Sequence, residues 1–243
     1  MATTYSPNIV TDGLSYCFDA ADENSVPLTA TASGTHYTND LTGNDDATST
    51  NATLLTQGSS GYVHTPNGNK PNVMYFTSDV MDPGAITATD PADGNAMYQS
   101  IDFWYFYGDA KASCCDTIFG RYHFRVFQIG NTLYFMHGVV VDETGVYQHP
   151  TVGVSVNTWY HVVATRQDVG GTNKFRMYLN NSKVIDSAYN PTANLWNYTG
   201  QAWGTSGVGH SHVYMSMARI YNKSLSEEEI EQNFEAHRGR FGI

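Results

Sequence analysis

A chain of 243 residues with 22 glycines, 17 tyrosines and only 14% charged side chains suits many short strands joined by turns better than long helices. A formal net charge of -11, with 12 Lys and Arg in all, argues against phosphate recognition, so no nucleic-acid partner is expected; the same sign disfavours an anionic membrane surface. No apolar run approaches the roughly 20 residues of a transmembrane helix, so no membrane insertion is expected.

The opening "MATTYSPNIVTDG" has no basic segment followed by an apolar run and is not read as a secretory signal. "GLSYCFDA" at 13–20 alternates as a strand, with Leu14, Tyr16 and Phe18 expected on one side. Residues 22–60 are rich in Asp, Asn, Ser, Thr and Gly. They read as a long surface excursion of a single module spanning 1–243. Strand candidates follow at 72–77, 98–107, 118–129, 132–141, 158–166, 174–180, 183–187, 201–205 and 212–221. Turn residues separate them, among them Asp82-Pro83-Gly84, Asp93-Gly94, Gly130-Asn131 and Gly170-Gly171. This rhythm predicts an all-β sandwich or barrel. In "FRMYLNNSKV", Phe175, Met177 and Leu179 face one way and Arg176 and Tyr178 the other. Asn180-Asn181 is expected to form a tight hairpin turn, because Asn tolerates positive φ.

The last segment, "LSEEEIEQNFEAH", predicts a helix. Ser226 is the N-cap and Glu229, three residues on, completes a capping box. Leu225 and Ile230 occupy the hydrophobic-staple positions, and Ile230 and Phe234 share a face that can meet the sandwich. Glu227 and Glu228 sit at the positive helix start, His237 and Arg238 near its negative end.

Taken together, "GLSYCFDAAD", "NVMYFTSDVMDPG", "SIDFWYFY", "NTWYHVVATR", "FRMYLNNSKV" and "MARIYNKSLSEEEIEQNFEAHRGR" resemble the concanavalin A-like, laminin G-like jelly-roll superfamily. The variant most resembled is the form that recurs in tailed-phage structural proteins. The resemblance implies an antiparallel two-sheet jelly-roll sandwich with one short C-terminal helix and the first strand near the last. One departure is the hairpin turn, which is usually Asn-Gly and here is Asn180-Asn181.

Glycoside hydrolysis needs two carboxyls flanking the scissile bond, about 5–10 Å apart. The superfamily's hydrolases carry them on alternate residues of one strand. No such set occurs here: Asp142 and Glu143 are adjacent, so in a strand they point to opposite faces, and Glu227 to Glu231 belong to the helix. "ASCCDT" with Cys114 and Cys115 lacks an activating context, and Cys17 adds no metal spacing. His210 and His212 have a spacing compatible with zinc but no evident further ligands. Calcium is the cofactor implied by the resemblance; the oxygen-rich candidates are Asp19, Asp22, Asp40, Asn44, Asp45 and Asp46. Sugar sites stack rings on exposed aromatics among amide donors. Trp196 and Tyr198, with Asn194 and Asn197, are the glycan-binding candidates, while Trp203 is read as core.

The expectation is therefore a non-catalytic structural protein of a tailed-phage virion, made in the host cytoplasm and carried on the particle surface. A capsid decoration or head-fibre component fits the single module without a shaft. Its partners would be other virion proteins and copies of itself, met through a free sheet face and the loops of 22–60. The alternative is a tail-associated lectin-like adhesin that binds host glycans.

Overall fold

The computed structural model describes residues 9–26, 34–43, 47–56, 72–76, 81–82, 99–108, 116–121, 124–137, 150–169, 172–189 and 213–243. In chain order the strands are β1 (Leu14–Asp19), β2 (Gly34–Thr38), β3 (Ala47–Leu55), β4 (Val73–Phe76), β5 (Met81–Asp82), β6 (Ser100–Tyr107) and β7 (Asp116–Arg121). They continue with β8 (Phe124–Ile129), β9 (Thr132–His137), β10 (Thr151–Gly153), β11 (Thr158–Val169), β12 (Thr172–Leu179), β13 (Ser182–Tyr189) and β14 (Val213–Tyr221), followed by helix α1 (Glu227–Phe241).

Two antiparallel sheets form the sandwich. A 10-stranded sheet runs β13-β12-β11-β6-β14-β4-β3-β2, with β1 added to β14 and β5 to β3; a 4-stranded sheet runs β10-β9-β8-β7. The expected closure is present: β1 pairs antiparallel with β14, Phe18 opposite Ala218. The core between the sheets takes Tyr16, Phe18, Phe103 and Val162 from the large sheet and Phe124, Val126, Leu133 and Phe135 from the small one.

Helix α1 forms as its sequence requires. Ser226 accepts from the Glu229 amide and the Glu229 side chain accepts from the Ser226 amide, closing the capping box. Gly242, at φ 78, ends the helix in the left-handed region. Leu225 and Ile230 pack in one cluster, as a staple does. The turn after β12 also matches expectation, with Asn180 at φ 48 and Asn181 at φ 64. Asn180 does more than turn: its Oδ1 accepts from the His161 amide and its own amide donates to the His161 carbonyl.

Several expectations are corrected. The run at 118–129 is two paired strands, β7 and β8, with Arg121 opposite Phe124. Tyr122-His123, the residues between the two strands, are not a turn dipeptide. Leu14 does not share the face of Tyr16 and Phe18. The register shifts between Leu14 and Tyr16, and the extra residue turns Leu14 to the opposite face, beside Tyr221 and Ile230. The stretch at 22–60 is not only a surface excursion, because β2 and β3 lie within it and extend the large sheet.

The largest correction concerns the free face. Every residue of β6 is buried. Ile101, Phe103, Tyr105 and Tyr107 enter the core, while Trp104 and Phe106 lie on the outer face with Phe234 and Phe241 of α1. The middle of the large sheet is thus covered on both sides, by the small sheet and by the helix.

Candidate functional site

The outer face of the large sheet carries a buried polar centre built by strand register. On β14, Arg219 stands opposite Asp102 of β6; on β11, Val163 stands opposite Asp102, which places His161 one pleat away on the same face. Asp102, His161 and Arg219 are all 0% exposed. Arg219 Nη2 donates to Asp102 Oδ1 at 2.9 Å, and His161 Nε2 lies 3.0 Å from the same oxygen. From the helix, Asn233 Nδ2 donates to Asp102 Oδ2 at 2.8 Å and to the Tyr221 hydroxyl at 3.0 Å.

Burial by itself would raise the Asp102 pKa. Burial is the largest single influence, but the Arg219 guanidinium, His161 and Asn233 together outweigh it and hold the carboxyl well below the usual carboxylate range. His237, one helical turn beyond Asn233, moves the other way from what its place near the helix end suggested. Burial and the neighbouring Arg219 cation push it down to about 3, so it is neutral at pH 7, and Arg238 and Arg240 supply the positive charge at the helix's negative end. Cys17, opposite Arg219 in register, is pushed up to about 12, mainly by burial, and is a thiol rather than a nucleophile.

A histidine on a carboxylate is the usual apparatus of general acid–base chemistry. Here it is sealed. Trp104 stacks on the His161 ring at 4.8 Å, and Phe234 and Phe241 stack on Trp104 at 5.9 and 4.1 Å. Asp102 joins the helix to the sheet and presents no oxygen to solvent.

A second group lies on the outer face of the small sheet. Phe127 and Tyr134 are opposite in register and stack at 4.9 Å, and the Arg125 guanidinium lies 5.4 Å over the Phe127 ring. Tyr134 and Arg125 are half-buried. At the neighbouring end of the sandwich, Tyr107 donates its hydroxyl to Gly130 O and Asn131 Oδ1, and the Val154 amide donates to Asn131 O. These bonds fix the β8–β9 turn against the residues that lead into β11.

Of the calcium candidates, Asp19, Asp22 and Asp40 are described, and their carboxylates serve three separate purposes. Asp19 accepts from Arg240 Nη1 at 2.8 Å, a cation that calcium would have to displace. Asp22 accepts from the amide and side chain of Asn24 within its own turn. Asp40 accepts from the Cys17 amide at 2.8 Å and from the Thr42 amide and hydroxyl. Among the described residues no three His, Cys, Asp or Glu side chains gather around one point. Asp19, Asp22 and Asp40 therefore do not converge on one site. Asn44, Asp45 and Asp46 lie outside the described residues, as do His210, His212, Cys114 and Cys115. So do the glycan candidates Asn194, Trp196, Asn197 and Tyr198, together with Trp203. Sequence reading missed Asp102, His161, Arg219 and Asn233. The signal available to it was a charged residue inside each of two otherwise apolar strands, "SIDFWYFY" and "VYMSMARIY".

The model of the concanavalin A-like lectin/glucanases superfamily matches residues 57–231. Among curated proteins no relative matches the chain. Solved structures share the fold at low identity. A mutant Trypanosoma rangeli sialidase that displays trans-sialidase activity is similar at a TM-score of 0.61 and 13% identity, over 97% of this chain and 34% of that one. The binding domain of Paraclostridial Mosquitocidal Protein 1 gives 0.54 and 14% over 96% of this chain and 53% of that one. The receptor binding domain of botulinum neurotoxin D gives 0.54 and 13% over 93% and 53%. The chain therefore spans about a third of the sialidase and about half of the toxin chains.

Proposed function

The chain belongs to the concanavalin A-like lectin/glucanase superfamily, and from that premise we propose that it is a non-catalytic binding module. The observation that carries this reading is the fate of Asp102. Its pairing with His161 is spent on holding α1, with Arg219 and Asn233 on the same carboxylate and aromatic rings over the histidine. A group so enclosed cannot deliver or take a proton at a bound substrate. On the small sheet, only Tyr134 and Arg125 of the stack are within a ligand's reach, because Phe127 beneath them is buried. The similarity to domains described as binding and receptor binding supports the same class of role.

In finer terms, we propose a structural component of a tailed-phage particle, a capsid decoration or head-fibre protein on the virion surface. It would hold other virion proteins and further copies of itself. The support is the resemblance in the segments around β1, β11–β12 and the final strand and helix, and a sequence poor in charge and rich in Tyr, Asn, Thr and Ser. Repeated weak contacts suffice for such a role, because multivalency multiplies them. Copy number in purified particles tests it. Hundreds of copies place the protein on the capsid and a few on the tail, whereas absence from particles removes the virion reading.

A second reading, a lectin-like adhesin for host glycans, is favoured by the family itself and by Trp196 and Tyr198 as stacking residues. A glycan array separates the two. Strong binding that is lost in the Trp196→Ala, Tyr198→Ala double variant supports this reading and its site.

A further inference from the structure

The segment before β1 is held by side chains rather than by a neighbouring strand. The Val10 amide donates to Asn233 Oδ1 at 2.9 Å, and the Val10 carbonyl accepts from the Tyr221 hydroxyl at 3.1 Å. The Val10 side chain packs with Leu225 and Ile230 at the start of α1. Two residues on, Asp12 shares Lys223 with Glu229 of the helix, at 2.5 and 2.6 Å from Nζ. Gly13 then turns the chain into β1 at φ 72, where a Cβ would stand 2.8 Å from Asn222 Oδ1.

Asn233 is the hinge of this arrangement. One side chain accepts from Val10, donates to Tyr221 and donates to Asp102. If the helix lifts, Val10 loses the acceptor for its buried amide. If the segment lifts, the Asn233 oxygen is left without its donor beside a buried ion pair. Either half-open state leaves buried polar groups unpaired, the most costly way to break a hydrogen-bonded network. Both halves open avoids that conflict at the segment–helix contact.

We propose that the segment around Val10 and helix α1 form one latch, which docks on the outer face of the large sheet and leaves it as a single unit, with Asn233 as the coupling residue. Its release uncovers Trp104 and Trp159, against which Phe241 packs, and the Asp102–Arg219 pair. The latch is a cooperative unit distinct from the sandwich, of the kind that native-state exchange resolves.

Hydrogen exchange on the intact chain, read by mass spectrometry, tests this. In Asn233→Ala, exchange should accelerate by the same factor in residues 9–14 and 227–243, on the order of a hundredfold, while β8 and β9 keep their protection. Acceleration in only one of the two segments overturns the proposal, as does an equal loss in every strand. Val10→Pro provides the converse test, because it removes the segment's donor and leaves the helix sequence intact. The helix should then exchange faster as well. Unchanged helix protection with 9–14 released overturns the coupling.

Discussion

Asn233 Nδ2 lies 2.8 Å from Asp102 Oδ2, and through that contact a helix residue completes the coordination of a carboxylate buried in the middle of a sheet. The pairing explains how a charged residue is tolerated in β6. Asp102 has Arg219 for its charge, His161 for one oxygen and Asn233 for the other. A buried ion pair of this kind is weak evidence for net stability, yet breaking it is costly.

Asp102→Ala should therefore destabilise the protein by about 3–5 kcal/mol, since Arg219 is left buried without its counter-ion. Replacing both partners by apolar residues, Asp102→Leu with Arg219→Met, should cost much less than the sum of the single changes. Urea unfolding of Asp102→Leu, Arg219→Met and the double variant measures this, and additive losses would show that the two residues do not act as a pair.

His237 should make stability fall on mild acidification. Its folded pKa, about 3, lies below the ordinary histidine value, so the unfolded chain takes up a proton first as pH drops. The contribution is fully present above about pH 6.5 and is lost progressively down to the folded value. Between pH 7 and pH 5 the loss amounts to about 2 kcal/mol. Denaturant titrations at the two pH values should show that difference in the wild type, and His237→Gln should remove most of it. Asp102 acts lower down: its contribution is lost as pH falls through the ordinary carboxylate range toward its depressed folded value.

The Ser226 cap should be worth about 1 kcal/mol. Ser226→Ala removes the acceptor for the Glu229 amide and breaks the box, lowering the melting temperature by about 2–4 °C in a protein of this size. Ser226→Asp, which keeps an acceptor at the positive helix end, should restore most of the loss.

At the hairpin after β12, Asn181→Val should cost about 1–2 kcal/mol, because φ 64 forces a β-branched residue into the left-handed region. Asn181→Gly should leave stability within about 1 kcal/mol of the wild type, since glycine suits the turn but loosens the unfolded chain. Thermal melts distinguish the two, and an unaffected Val variant would mean that the turn is not held as described.

Elements with a local cause were legible in the sequence. The capping box at Ser226 and Glu229, the Asn180-Asn181 turn and the alternation of Phe175, Met177 and Leu179 are decided by residues a few positions apart, and all three are present. Elements decided by distant partners were not. The reversal between β7 and β8 lacks a turn signal, and the bulge that redirects Leu14 is set by its pairing with β14. Asp102 and Arg219 are 117 positions apart, and Asp102 and Asn233 are 131. Local pattern marks each of them only as a polar residue in an odd place. A strand's alternation states which side chains share a face, but not what covers that face. Only the docking of α1 on the outer face of the large sheet turned a surface expected to be free into a second core, and a histidine–carboxylate pair into part of its fastening.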